Sequence, residues 1–307
     1  MPAERTLATR LLLLASVLVW GSTFVAMKIA LAEVSPFELV GLRFAIGLPL
    51  LWLVLRTRGI PVAFDRRDLP ALACGSAILA AHFLAQPFAL SLAGTTATNT
   101  SWIIAFSPLA ILLLSRAFLR ERVGAGQAVG VAIATFGIVL LVSRGELANL
   151  AWVGSRGDWI VLGTAFTWAF YTIATRDLSR RRSPLGVTLV VFLPVTLGCL
   201  AGIAARSDLR HLARLSPRVV LALLFLGVLG TLAQWFWQVG VARLGAARAG
   251  VYLYLEPLAT TALAVPLLGE SLGPAGSAGG VLVLLGVWLG GRSAEGKPAP
   301  AAAEGAS

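Results

Sequence analysis

The chain has 307 residues, 58% of them hydrophobic and only 13% charged, with a formal net charge of +11. Soluble domains carry about 25% charged residues, so this composition excludes a soluble globular fold along with the disordered, collagen-like, coiled-coil and disulfide-scaffold classes. The apolar stretches are long rather than alternating, which predicts an all-α integral membrane protein.

Ten transmembrane helices are expected, at about residues 10–31, 36–56, 69–91, 95–116, 124–143, 158–177, 184–205, 217–241, 246–268 and 273–291. Each is near the ~20 residues that cross a hydrocarbon core. Pro36, Pro184, Pro217 and Gly273 punctuate the short connections. The first span is too long for a signal peptide and carries Lys28, so it is expected to stay as a helix. In the basic loop Arg206 to Arg218, Leu209, Leu212 and Leu215 recur every third residue, which predicts a short interfacial helix.

With the N-terminus inside, cytoplasmic segments hold 17 Lys and Arg and the outer loops hold 6. That bias places both termini in the cytoplasm of a multi-pass inner-membrane protein. It also accounts for the positive charge without nucleic acid, for which no continuous basic face is present. Cys74 and Cys199 both fall in apolar stretches, so no disulfide framework, metal site or cofactor is expected.

The sequence repeats itself at a shift of about 148 residues. Trp20 falls on Trp168, Pro36 on Pro184, and Leu84-Ala85-Gln86-Pro87-Phe88 on Leu232-Ala233-Gln234-Trp235-Phe236. At a shift of 149, Pro108-Leu109 meets Pro257-Leu258, Glu121 meets Glu270 and Gly137 meets Gly286. Five spans therefore repeat as five: 10–143 and 158–291, followed by a tail at 292–307 that is expected to be disordered. Because five is odd, the second half enters from the opposite side, giving two inverted five-helix repeats. Secondary transporters use this plan, with the substrate site near the midplane between halves.

The same residues carry a family resemblance. Trp20-Gly21-Ser22-Thr23-Phe24-Val25-Ala26-Met27-Lys28, then Pro36 followed by Leu42-Arg43-Phe44, resemble the opening of EamA-type members of the drug/metabolite transporter superfamily. So does the paired Pro-Leu with a glutamate thirteen positions after the proline, at Pro108 to Glu121 and again at Pro257 to Glu270. The resemblance covers about residues 10–291. It implies a ten-helix, pseudosymmetric carrier of small metabolites, often an exporter, working by alternating access. It also implies a central cavity lined by spans 1–4 and 6–9, with spans 5 and 10 peripheral.

Few residues could carry the chemistry. Lys28, Arg43 and Glu256 are charges within spans, where ionised groups are costly and default to function. Lys28 either faces the cavity or snorkels to the headgroups. Arg43 needs an acid or carbonyls, with Glu33 or a cavity group as the expected partner. Glu256, just before Pro257, is either a protonatable coupling residue or a structural acid beside a kink; its counterpart in the first half is Ser107. Paired proline breaks point to the site because freed carbonyls can face a cavity. The substrate-binding candidates are Trp20, Lys28, Gln86, Asn99, Trp102, Trp168, Tyr171, Gln234, Trp235 and Tyr252, with Glu256 and Arg43 in coupling or gating. Trp237 is equally at home in an interfacial aromatic belt, and His82 reads as a hydrogen-bonded interior residue. Glu121 and Glu270 read as helix caps.

These features predict a secondary-active carrier of a small metabolite or amphipathic compound, with a small-molecule substrate, protons and the bilayer as partners, as monomer or homodimer. The alternative is a membrane-embedded enzyme acting on a lipid-type substrate. It lacks an acid–base pair, nucleophile or metal cluster within reach.

Overall fold

In the computed structural model the described residues are 2–120, 123–142, 155–205, 209–269 and 274–292. Their regular elements are all helices, with no strand among the described residues. The helices are α1 (Pro2–Ala30), α2 (Pro36–Thr57), α3 (Leu69–Ser91), α4 (Ala97–Ile104), α5 (Ser107–Phe118), α6 (Ala125–Val142), α7 (Arg156–Arg181), α8 (Pro184–Ala204), α9 (Pro217–Leu244), α10 (Ala246–Gly250), α11 (Glu256–Leu268) and α12 (Pro274–Arg292). Seven helical segments are long and apolar enough to cross a membrane, and two shorter apolar helices lie within α6 and α12.

The helix starts follow local chemistry. Pro36, Pro184 and Pro217 take the first helical position, where a missing N–H costs nothing. Ser35 and Glu38 form a reciprocal capping box on α2, and Ser155 and Asp158 do the same on α7. Two expected spans are not continuous helices. Residues 95–116 break between α4 and α5 just before Pro108, and residues 246–268 run as α10, a 3-10 turn at Val251–Leu255, and α11. Proline at the second position of α5 and α11 cannot donate into the preceding turn, so each helix restarts there.

The expected interfacial helix is instead a five-residue 3-10 turn, Arg210–Arg214, with no buried residue. The turn's Leu212 and the following Leu215 pack in part against the main core. Its flanks are tied to the first loop: the Ser216 N–H donates to Glu33 at 2.8 Å, and His211 lies 3.2 Å from Glu38. The hydrogen bonds from Ser216 hold the Glu33 carboxyl below the usual carboxylate range. At the opposite ends of α3 and α7, Asp68 accepts from Arg181 at 3.3 Å and Arg182 at 2.8 Å, and Arg182 also pairs with Asp65. Those acids raise the pKa of Arg182 above its ordinary value, its hydrogen bond to Asp65 contributing most.

The main packed pairs are α6 with α12, α1 with α9, α3 with α7, α2 with α8 and α9, and α1 with α11. Glycine sets the closest of these. A side chain at Gly137 would meet the Gly279 carbonyl at 2.7 Å, and one at Gly286 would strike the Gly130 carbonyl. The small-residue faces of α6 and α12 are thus used against each other within the chain. The expected caps Glu121 and Glu270, the 143–154 join and the 293–307 tail lie outside the described residues.

Candidate functional site

The breaks at α4/α5 and α10/α11 face a central cavity of about 40 Å³. That is well below the ~300–1,000 Å³ typical of small-molecule sites, so the surrounding helices close the space tightly. Trp20, Thr23 and Phe24 of α1, Arg43 of α2, and His82, Phe83 and Gln86 of α3 line it. Ile104 and Ser107 at one break, Leu253 and Glu256 at the other, with Trp168 of α7 and Gln234 of α9, complete the wall. Neither α6 nor α12 contributes, and α8 does not either.

One wall is an aromatic stack. The Trp20 ring meets Trp168 edge-on at 5.0 Å between centroids, and Trp237 lies 5.4 Å and 5.8 Å from the two. Trp237 is fully buried, so it belongs to this stack and not to an interfacial belt. Its neighbour Gln238 is buried too. Gln238 donates to Tyr171 at 2.5 Å and accepts from Ser179 at 3.2 Å, while Gln234 donates to the same Tyr171 hydroxyl at 3.3 Å. Tyr171 therefore stands behind the cavity wall and holds the glutamine that lines it.

Arg43 does not meet the expected acid. Glu33 is engaged at Ser216, and among the described residues no carboxylate reaches the guanidinium. It lies 5.0 Å from the centroids of both Phe44 and Phe83, and its Nε has no acceptor. Two cation–π contacts recover only part of the desolvation cost of a buried cation. Glu256 is likewise 7% exposed, and no described side chain donates to its carboxylate. Gly21 fixes it closely: a Cβ there would collide with the Glu256 carbonyl and approach Ala259 at 2.7 Å. Thr260 bridges the same carbonyl and that of Gly21 at 3.1 Å and 2.8 Å. At the other break, Ser107 donates to the Ile104 carbonyl at 2.7 Å, satisfying a group that the proline leaves open.

Of the residues predicted for the site, the structure brings Trp20, Gln86, Trp168, Gln234, Arg43 and Glu256 to one cavity. The others lie elsewhere. Lys28 does not line the cavity; its Nζ donates to the carbonyls of Leu90 at 2.9 Å and Thr95 at 2.8 Å, at the end of α3. Lys28→Met is expected to lower stability by about 1–3 kcal/mol through those two lost hydrogen bonds. It should leave substrate affinity unchanged, as read by thermal unfolding beside a binding assay. Asn99 donates to Asp158 at 2.8 Å and ties α4 to the start of α7. Trp102 packs with Tyr254 in a second apolar cluster against α6 and α12. Tyr252 is half-buried against the main core. Trp235 faces a separate groove of about 400 Å³ with Arg180, Arg182 and Arg243.

His82 and Phe83 were not among the predicted ligands. The His82 Nδ1 lies 3.2 Å from the Thr164 carbonyl and 3.1 Å from the Thr167 hydroxyl, an interior hydrogen-bonded histidine that also borders the cavity. The only signal that could have found it is its place on the same face as Gln86, one helical turn away.

The EamA-like transporter family matches the chain twice, over residues 8–143 and 155–291. The chain belongs to that family. It is accordingly a multi-pass membrane protein of the drug/metabolite transporter superfamily. An "Uncharacterized transporter" of Archaeoglobus fulgidus is 30% identical over 288 residues, covering 92% of this chain and 96% of that one. A "Probable amino-acid metabolite efflux pump" of Salmonella typhimurium is 27% identical, covering 89% and 91%. A "Probable terminal-alkyne amino-acid exporter" of Streptantibioticus cattleyicolor is 28% identical, covering 90% and 91%. A solved crystal structure aligns with a TM-score of 0.76 at 22% identity, over 92% of this chain and 98% of that one, a likeness of fold.

Proposed function

We propose that this chain is a secondary-active exporter of a small organic metabolite, working by alternating access around the central cavity. The ten spans act as two inverted five-helix repeats in the inner membrane, with both termini cytoplasmic. The observation that carries this is the cavity itself: two proline-broken helix pairs meet there and present Ser107 and Glu256 at corresponding positions. The names of the relatives that are efflux pumps and exporters support the direction. Glu256 is the coupling residue in this reading, taking a proton when the substrate leaves.

Purified protein in liposomes is expected to move metabolites from a broad solute panel, faster with an imposed pH gradient than without one. Gln234→Ala should slow that flux up to about tenfold, the worth of one hydrogen bond of ~1.4 kcal/mol. Flux that ignores Gln234 would remove the central cavity from the path.

A further inference from the structure

We propose that the groove beside Trp235 binds an anionic phospholipid, its phosphate held by Arg180 and Arg243 and its first acyl carbons laid on an apolar floor. The inference is independent of the carrier reading and requires only that the chain spans a bilayer. The groove holds about 400 Å³, against about 40 Å³ for the central cavity. It lies where α7 and α9 end and α8 begins, with Ile60, just after α2, on one side. Arginines at the ends of membrane-spanning helices stand at the level of the lipid headgroups.

The groove has two unlike parts. Trp235, Val239 and Ala242 follow one another at four and three residues and so share one face of α9. Pro184 and Leu185 of α8 complete this apolar floor. Arg243 comes directly after Ala242, and Arg180 and Arg182 stand at the end of α7. From Trp235 to Arg243 the helix advances about 12 Å, room for a phosphate and several methylenes. The hydroxyls at this end are already used, since Ser183 caps α8 and Ser179 donates to Gln238. Recognition therefore falls to the guanidinium groups.

The acids near this end are committed elsewhere. Asp68 accepts from Arg181 and Arg182, Asp65 pairs with Arg182, and Asp177 pairs with Arg176 at 2.7 Å. Among the described residues Arg180 and Arg243 meet no carboxylate, and both are exposed. Arg243 reaches the Thr9 hydroxyl at 3.2 Å. Arg58 adds a further cation beside the groove, 5.6 Å above the Trp235 ring. Guanidinium groups grip phosphate oxygens in pairs, a match that lysine lacks. A soluble anion would answer these cations and leave the apolar floor uncovered. A neutral lipid would cover the floor and leave the cations without a counter-charge. An anionic phospholipid does both, as in basic pockets between membrane helices.

The test uses the purified full chain in a neutral detergent. It is titrated with phosphatidylglycerol, with phosphatidylcholine of the same acyl chains, or with inorganic phosphate. Thermal unfolding reads stabilisation, and native mass spectrometry counts the lipid retained. Phosphatidylglycerol is expected to raise the unfolding midpoint by about 4 °C or more over phosphatidylcholine. It should also be retained about tenfold or more in preference to it. Arg180→Gln combined with Arg243→Gln should remove most of both effects. Arg180→Lys combined with Arg243→Lys, which keeps the charge, should retain part of the preference and separate recognition from folding. Arg66→Gln combined with Arg67→Gln is the matched control, deleting the same charge from a nearby turn that does not line the groove. A preference that survives the Arg180 and Arg243 glutamine pair overturns the site. Equal losses in that pair and the control overturn it too, since they mean diffuse attraction to a basic surface. Equal retention of the two lipids would make the groove a neutral-lipid slot, and a full shift from phosphate alone would make it a soluble-anion site; either result overturns the assignment.

Discussion

Glu256→Gln is expected to abolish the proton movement that accompanies substrate flux, lowering the pH signal in liposomes by tenfold or more. Glutamine keeps the size and shape of the side chain and cannot take up a proton as a carboxylate does, so the change separates charge from shape. The position leaves little room for compensation. No described donor or cation shares the carboxylate, and the carbonyl of the same residue is pinned by Thr260 and by the close approach of Gly21. Substrate exchange down its own gradient, which needs no net proton transfer, should survive better than uphill transport. A lumen pH signal of wild-type size in the variant would take Glu256 out of the coupling role.

Gly47→Val is expected to have the largest effect on stability. A Cβ on Gly47 would collide with the Thr231 hydroxyl and stand 2.6 Å from the Gly227 carbonyl. The obstacle is partly backbone, which cannot rotate away, so α2 and α9 must separate. Overpacking of this kind costs about 1–3 kcal/mol, and more where helices have to move. Because α2 carries Arg43 and α9 carries Gln234, the same shift should widen the cavity and lower transport per folded molecule. Gly198→Ala is the matched control. Nothing lies within 4 Å of a Cβ there, and replacing glycine inside a helix should stabilise by roughly 0.5–1 kcal/mol. Thermal unfolding of the two variants side by side in detergent reads both signs; similar midpoints would mean that helix spacing does not limit stability.

What the sequence made legible follows from how each residue signals. Trp20 with Trp168, and Gln86 with Gln234, were found as pairs because duplication places equivalent residues on equivalent helices, and both pairs reach the cavity. Pro108 and Pro257 marked the two helix breaks because proline acts locally. Lys28 and Asn99 lie off the cavity for a common reason: a polar residue within a span must find a partner, and sequence does not say whether that partner is a substrate or a polar group of another helix. Lys28 found Leu90 and Thr95, and Asn99 found Asp158. Arg43 failed in the opposite sense. Glu33 was an obvious acid nearby in sequence, yet loop geometry commits it to Ser216 and leaves the guanidinium against two phenylalanine rings. The separation of Trp235 from Gln234 is the simplest case, since adjacent helical residues point about 100° apart and only one can face a given cavity.

Three indole rings crowd within 6 Å of one another at the cavity wall, and one of them, Trp168, keeps an unsatisfied N–H. Rings that close couple their electronic transitions, so the protein carries its own optical reporter at the place where a solute would arrive. Occupancy should alter the near-ultraviolet circular dichroism and the emission of this trio with no label attached. Trp52, Trp159 and Trp288, which are exposed on the outer face of the helices, would contribute a background that answers to the surrounding lipid or detergent instead.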